Sequence, residues 1–169
     1  MDYYDILIDG ISAEIYVSRI IHTRSWIAAE LSDGRYGIAL HDKLQSRERM
    51  FPTLEGLTAR KAAEAVRSWN LLEASEAMAV INAFYNTEER LDKLSARCGF
   101  DKSCTQGFST EGKKVALIGH LVLQPDALKG ASEVYIIERD PKPGDYPDSA
   151  CEYILPESDI VIMTASAAI

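Results

Sequence analysis

The chain has 169 residues, 47% of them hydrophobic and 26% charged, with a formal net charge of -8. That length suits one domain or two small ones of the soluble globular class. The acidic balance argues against general affinity for nucleic acid or an anionic membrane, and no apolar stretch approaches the ~20 residues of a membrane helix.

The start, MDYYDILIDG, lacks the cationic region and long apolar core of a signal peptide. With three cysteines (Cys98, Cys104 and Cys151) in no framework spacing, reduced thiols in a cytoplasm are the expectation. Next comes a small antiparallel β unit. Ile15–Ile21 alternates, which predicts Ile15, Val17 and Ile21 on one face. Trp26–Leu31 and Tyr36–Leu40 flank Asp33-Gly34, the dipeptide of a tight hairpin turn. Residues 42–57 are charged and then punctuated by Pro and Gly, and read as a loop.

Helices follow. Thr58 is placed to cap a helix with Ala59, Ala62, Ala63, Val66 and Trp69 on its apolar stripe. A second helix spans roughly 73–85, with Ala74, Ala77, Met78, Ile81 and Phe84 on one stripe, its alanines pointing to close packing. Asn82 and Asn86 share a face of it, within reach of a ligand or a loop, although Asn86 is favoured as the helix end. A third helix begins at Thr87 and stops at Cys98-Gly99, and 99–112 reads as a linker.

From Lys113 the pattern becomes strand, crossover, strand. Val115–Gly119, Val134–Ile137 and Ile160–Met163 are short, β-branched and continuous, as buried parallel strands are. Pro125 and Gly130 suit the two ends of a short crossover helix. The loop Pro141–Pro147 is too rich in proline to be a strand. The expected fold class is α/β: an α+β unit over 1–98, a linker over 99–112, and a partial Rossmann-like parallel sheet over 113–169.

Ligands of open α/β sheets bind where the carboxyl ends of the strands meet. Three runs end in polar residues: Gly119-His120, Glu138-Arg139 and Thr164. Glu138 lies 19 positions after Gly119, where an acid can accept from ribose hydroxyls, or can simply be a solvated strand end. The first turn has one glycine where Gly-x-Gly-x-x-Gly needs three, which argues against NAD. His120 suits an anion contact, a proton shuttle or a metal, and equally a structural hydrogen bond. Cysteine spacing supports no zinc ribbon or finger, so His120 and Glu138 are the weak metal candidates.

Taken together, SDGRYGIAL (32–40), INAFYN (81–86), KKVALIGHL (113–121), VYIIERDPKPGDYPDSA (134–150) and LPESDIVIMTASA (155–167) resemble the heavy-metal-chelation family. Its members pair an enolase-N-terminal-like domain with a Rossmann-like domain. The resemblance covers most of the chain and implies a ligand, a divalent or heavy metal ion or its chelate, in the cleft between the domains. Members continue past the third strand, whereas this chain stops at Ile169. Either a second subunit supplies the missing layer or the sequence is a fragment; a homodimer is the expectation.

Three functions follow in order. The first is a small-molecule or metal-chelate binding protein, catalytic or not, using Asn82, Gly119, His120, Glu138, Arg139 and Thr164. The second is a nucleotide- or S-adenosylmethionine-using transferase. The third is a non-catalytic partner subunit.

Overall fold

The computed structural model describes residues 3–43, 45, 47–90, 92–93, 109–121, 123 and 126–163. The chain separates into two compact units, Met1–Asp92 and Lys93–Ala168. The fold is α/β: an antiparallel sheet with helices in one unit, and a parallel four-stranded sheet in the other.

The first unit opens on helix α1 (Tyr3–Asp9) and continues into strands β1 (Val17–His22), β2 (Trp26–Leu31) and β3 (Tyr36–Leu40). The β2–β3 hairpin forms as Asp33-Gly34 requires. Gly34 takes φ +83, and the N–H of Leu31 donates to the carbonyl of Arg35 at 2.9 Å. Alternation over Ile15–Ile21 fails, because Val17 pairs with Leu31 but Arg19 pairs with Glu30. Ser18 is therefore a bulge residue, and the face changes after it. Val17 is buried and Ile21 is exposed.

Thr58 caps helix α2 (Ala59–Ala63), its hydroxyl accepting from the N–H of Lys61. A 3-10 turn, Glu64–Arg67, follows, and Ser68 is extended. Rotation along the stripe stops there, so Trp69 is 75% exposed, where the helical spacing placed it in the core. Helix α3 (Leu71–Tyr85) starts at Asn70, whose side chain accepts from the N–H of Glu73, and ends at Asn86. It is buried almost continuously from Glu73 to Ile81. The alanines do bring it close. A Cβ on Gly37 of β3 would lie 2.6 Å from Ala83 Cα, so only glycine fits there. Glu88–Arg90 are helical, and the N–H of Arg90 donates to the carbonyl of Thr87 at 3.1 Å. The helix end at Cys98-Gly99 and most of the 99–112 linker lie outside the described residues.

In the second unit, β4 (Lys114–Ile118), β5 (Glu133–Glu138) and β7 (Ile160–Met163) are parallel and adjacent, with β4 in the middle. The stretch read as a loop contains one more strand, β6 (Tyr146–Pro147), pairing with Ile137 and Glu138 of β5. Proline is admissible there because β6 is an edge. The described part of the β4–β5 crossover, Asp126–Gly130, forms turns in place of the expected helix, Lys129 donating to the carbonyl of Asp126. After β6 come a 3-10 turn (Asp148–Ala150), helix α4 (Cys151–Ile154) and a second 3-10 turn (Leu155–Glu157).

Candidate functional site

The sheet order β6-β5-β4-β7 means that the chain moves outward from β4 to β5 to β6, then returns to place β7 on the other side of β4. β4 is thus at the switch point, where the connections on its two sides diverge and leave a crevice at the carboxyl ends.

β4 ends in Gly119, at φ +91, a conformation that favours glycine. The N–H of Gly119 still follows the ladder, donating to the carbonyl of Ile137 at 2.9 Å. His120 leaves it. Its N–H donates to Glu138 Oε1 at 2.6 Å, tying the end of β4 to the end of β5. His120 Nε2 lies 2.8 Å from Asp145 Oδ2. Asp145 Oδ2 also accepts the N–H of Lys142 at 2.8 Å, and the N–H of Asp145 returns to the carbonyl of Lys142. The structure therefore brings Gly119, His120 and Glu138 together and adds Asp145, which sequence reasoning missed. Its only signal was Gly144-Asp145 in the proline loop, with Gly144 at φ +102 turning the aspartate back toward the sheet.

The bond from His120, and next the Lys142 N–H, hold the Asp145 carboxyl below the ordinary carboxylate value of 3.8. Asp145 is consequently an anion at neutral pH, and His120 Nε2 carries the hydrogen that meets it. In neutral His120 the acceptor is then Nδ1. Arg139, exposed beside Glu138, adds a cation at the same end of β5. Thr164 lies outside the described residues.

Asn82 is in the first unit. Its Nδ2 donates to the carbonyl of Ile38 at 2.8 Å, and with Ile38, Tyr85 and Asn86 it lines an open groove of about 330 Å³.

Among the described residues, no group of three His, Cys, Asp or Glu side chains is placed to hold a metal ion. Of the weak metal candidates, His120 commits Nε2 to Asp145 and Glu138 commits Oε1 to the His120 N–H. Cys98 and Cys104 lie outside the described residues, and Cys151 is a half-buried free thiol. Among the described residues no helix is long and apolar enough to cross a membrane.

Two family models match, one over residues 4–85 and one over 108–169, both described as "Putative heavy-metal chelation". No curated protein matches. Solved structures do. One is a protein of unknown function from the DUF364 family of Desulfitobacterium hafniense DCB-2, 31% identical, with a TM-score of 0.75 over 98% of this chain. Another, from the same family in Pyrococcus horikoshii, is 20% identical with a TM-score of 0.68 and shares the fold. The chain spans 66% and 67% of the lengths of those two chains.

Proposed function

From the premise that this chain belongs to the family described as heavy-metal chelation, we propose that it binds a small molecule or a metal chelate at the carboxyl ends of β4 and β5. Gly119, His120, Glu138 and Arg139 contact the ligand, with Thr164 beyond the end of β7 and Asp145 behind His120. One observation carries the reading. His120 is fixed at its backbone by Glu138 and at its ring by Asp145, at the switch point of a parallel sheet. That is the preorganisation a binding group needs. The described residues do not assemble a donor set for a bare ion. In this reading the metal arrives already coordinated, and the protein recognises the organic part of the complex by hydrogen bonds and charge.

Thermal denaturation in the presence of divalent metals, alone and as citrate complexes, tests this. A ligand at about 100 times its Kd stabilises by ~2.7 kcal/mol. The complexes raise the midpoint, the free metals do not, and His120→Ala abolishes the rise. No shift with any complex overturns the reading.

Glu138 favours a second reading. It ends the strand next to β4, where an acid meets a ribose in nucleotide-binding sheets. Its Oε2 then accepts from the sugar while Oε1 keeps the His120 N–H. Adenosine and S-adenosylmethionine would bind the parent chain, and Glu138→Ala would abolish that binding. Equal affinity in the variant excludes the ribose role.

A further inference from the structure

The antiparallel sheet of the first unit has one face against α3, and register fixes what the other face displays. Across β1, β2 and β3 it carries the row Arg19–Glu30–Tyr36, then Ile21–Ala28–Ile38, then Trp26–Leu40. Trp26 and Tyr36 are each 52% exposed, Ile38 56%, Leu40 40% and Ile21 38%. With aromatic side chains of ~150–250 Å² and aliphatic ones somewhat smaller, half-exposure leaves roughly 450 Å² of contiguous apolar surface. Homodimer interfaces are about 65% apolar, so this is the core of a face of about 700 Å², close to the ~800 Å² per partner of a stable dimer.

The β1 edge of the sheet is occupied, and the β3 edge is tied at one carbonyl. Along β1, the N–H of Val17 donates to Leu57, the N–H of Gly56 donates to Val17, and the N–H of Ile20 donates to Glu55 Oε1. Along β3, Asn82 takes the carbonyl of Ile38. The apolar surface a partner is offered is the face. The one charged row is internally neutral, Arg19 pairing with Glu30 at 3.0 Å. A charged partner finds nothing to read there, and another copy of this acidic chain meets no repulsion at the contact.

We propose that a second copy of this chain packs on this face, sheet against sheet, with a two-fold axis over Ala28. Ala28 stands on the middle strand in the middle row, so any two-fold that centres the patch brings the two Ala28 residues opposite each other.

Sedimentation of the full chain tests the proposal. The parent runs at twice 18.7 kDa. Ile38→Glu, which buries a charge against the partner, raises the dimer Kd at least ~100-fold with the circular dichroism unchanged. Ala28→Cys, a small change, is joined to its counterpart by a short bis-maleimide beyond any product the parent gives. That keeps the test open where Ile38→Glu fails to fold. A parent that is monomeric at about 100 µM overturns the proposal. So does a dimer that Ile38→Glu leaves intact and that Ala28→Cys does not link.

Discussion

His22 stands 3.0 Å from Glu76 in the first unit, and His120 stands 2.8 Å from Asp145 in the second. Both imidazoles are 41% exposed and both carboxylates are nearly buried. Their surroundings differ. Glu76 is gripped on both oxygens by the Arg49 guanidinium, and Glu73, one turn earlier on α3, accepts the N–H groups of Met50 and Phe51 and the Ser68 hydroxyl. That network bolts the 47–51 segment onto α3, and His22 is one more strut in it, stacked on His41. Among the described residues no guanidinium pairs with Asp145. Its partners are one ring and one loop N–H, and the ring it holds belongs to a strand end. The same kind of pair is built into a helix–loop network in one place and stands at a strand end in the other. The neighbours decide which, not the pair distance.

The contrast can be broken first at Glu73. Glu73→Ala strands three buried or half-buried donors and costs about 3–5 kcal/mol in urea unfolding. A loss under ~1 kcal/mol would remove the structural role given to this network. Gly37→Ala, on the sheet side of α3, drives a methyl into backbone and costs about 2–3 kcal/mol by the same measurement. Arg49→Met leaves Glu76 with His22 alone and costs about 2 kcal/mol, reduced because Arg49 is part exposed. Asp145→Asn is the gentlest for stability and the sharpest for the site. The unfolding midpoint falls by less than that of Arg49→Met, while nitrogen NMR shows neutral His120 losing its preference for hydrogen on Nε2. A midpoint that falls as far as that of Arg49→Met would make the two pairs alike after all.

Acid gives a final comparison. The folded Asp145 binds its proton less readily than an unfolded aspartate, so its contribution to stability is complete above pH 3.8 and is lost as the pH falls through the lower folded value. Carboxylate resonances would show the His120 contact intact at pH 4 and released only in stronger acid. Release above pH 4 would contradict that order.

Local chemistry made much of the fold legible in the sequence. Asp33-Gly34 dictates the hairpin, Thr58 dictates a helix start, and three β-branched runs dictate adjacent parallel strands, because each signal acts through its own neighbours. What escaped depends on contacts distant in sequence. Ser18 is a bulge only because Arg19 pairs with Glu30. Tyr146–Pro147 is a strand only because β5 lies beside it. Helix α1 is held from afar, Tyr85 donating to the carbonyl of Leu7 and Arg60 to those of Asp9 and Ile11. Of the candidate site, Gly119, His120 and Glu138 were readable as strand ends. Asp145 was not, since the proline loop gives no sign that it folds back over a histidine 25 residues earlier.

The bulge at Ser18 also sets how this protein tolerates a change in length. A strand is a two-stroke count, and Ser18 adds one extra beat, so everything after it is out of phase with everything before. Deleting this single exposed residue removes little surface and no core contact. It restores the simple count, since Val17 opposite Leu31 and Arg19 opposite Glu30 then follow one another, and the four residues after it keep their faces. Arg19 and Ile21 would stay on the outer face, and His22 would keep Glu76. A one-residue deletion at the bulge is thus absorbed by the register, where the same deletion at Ile20 would put every later residue of the strand on the opposite face.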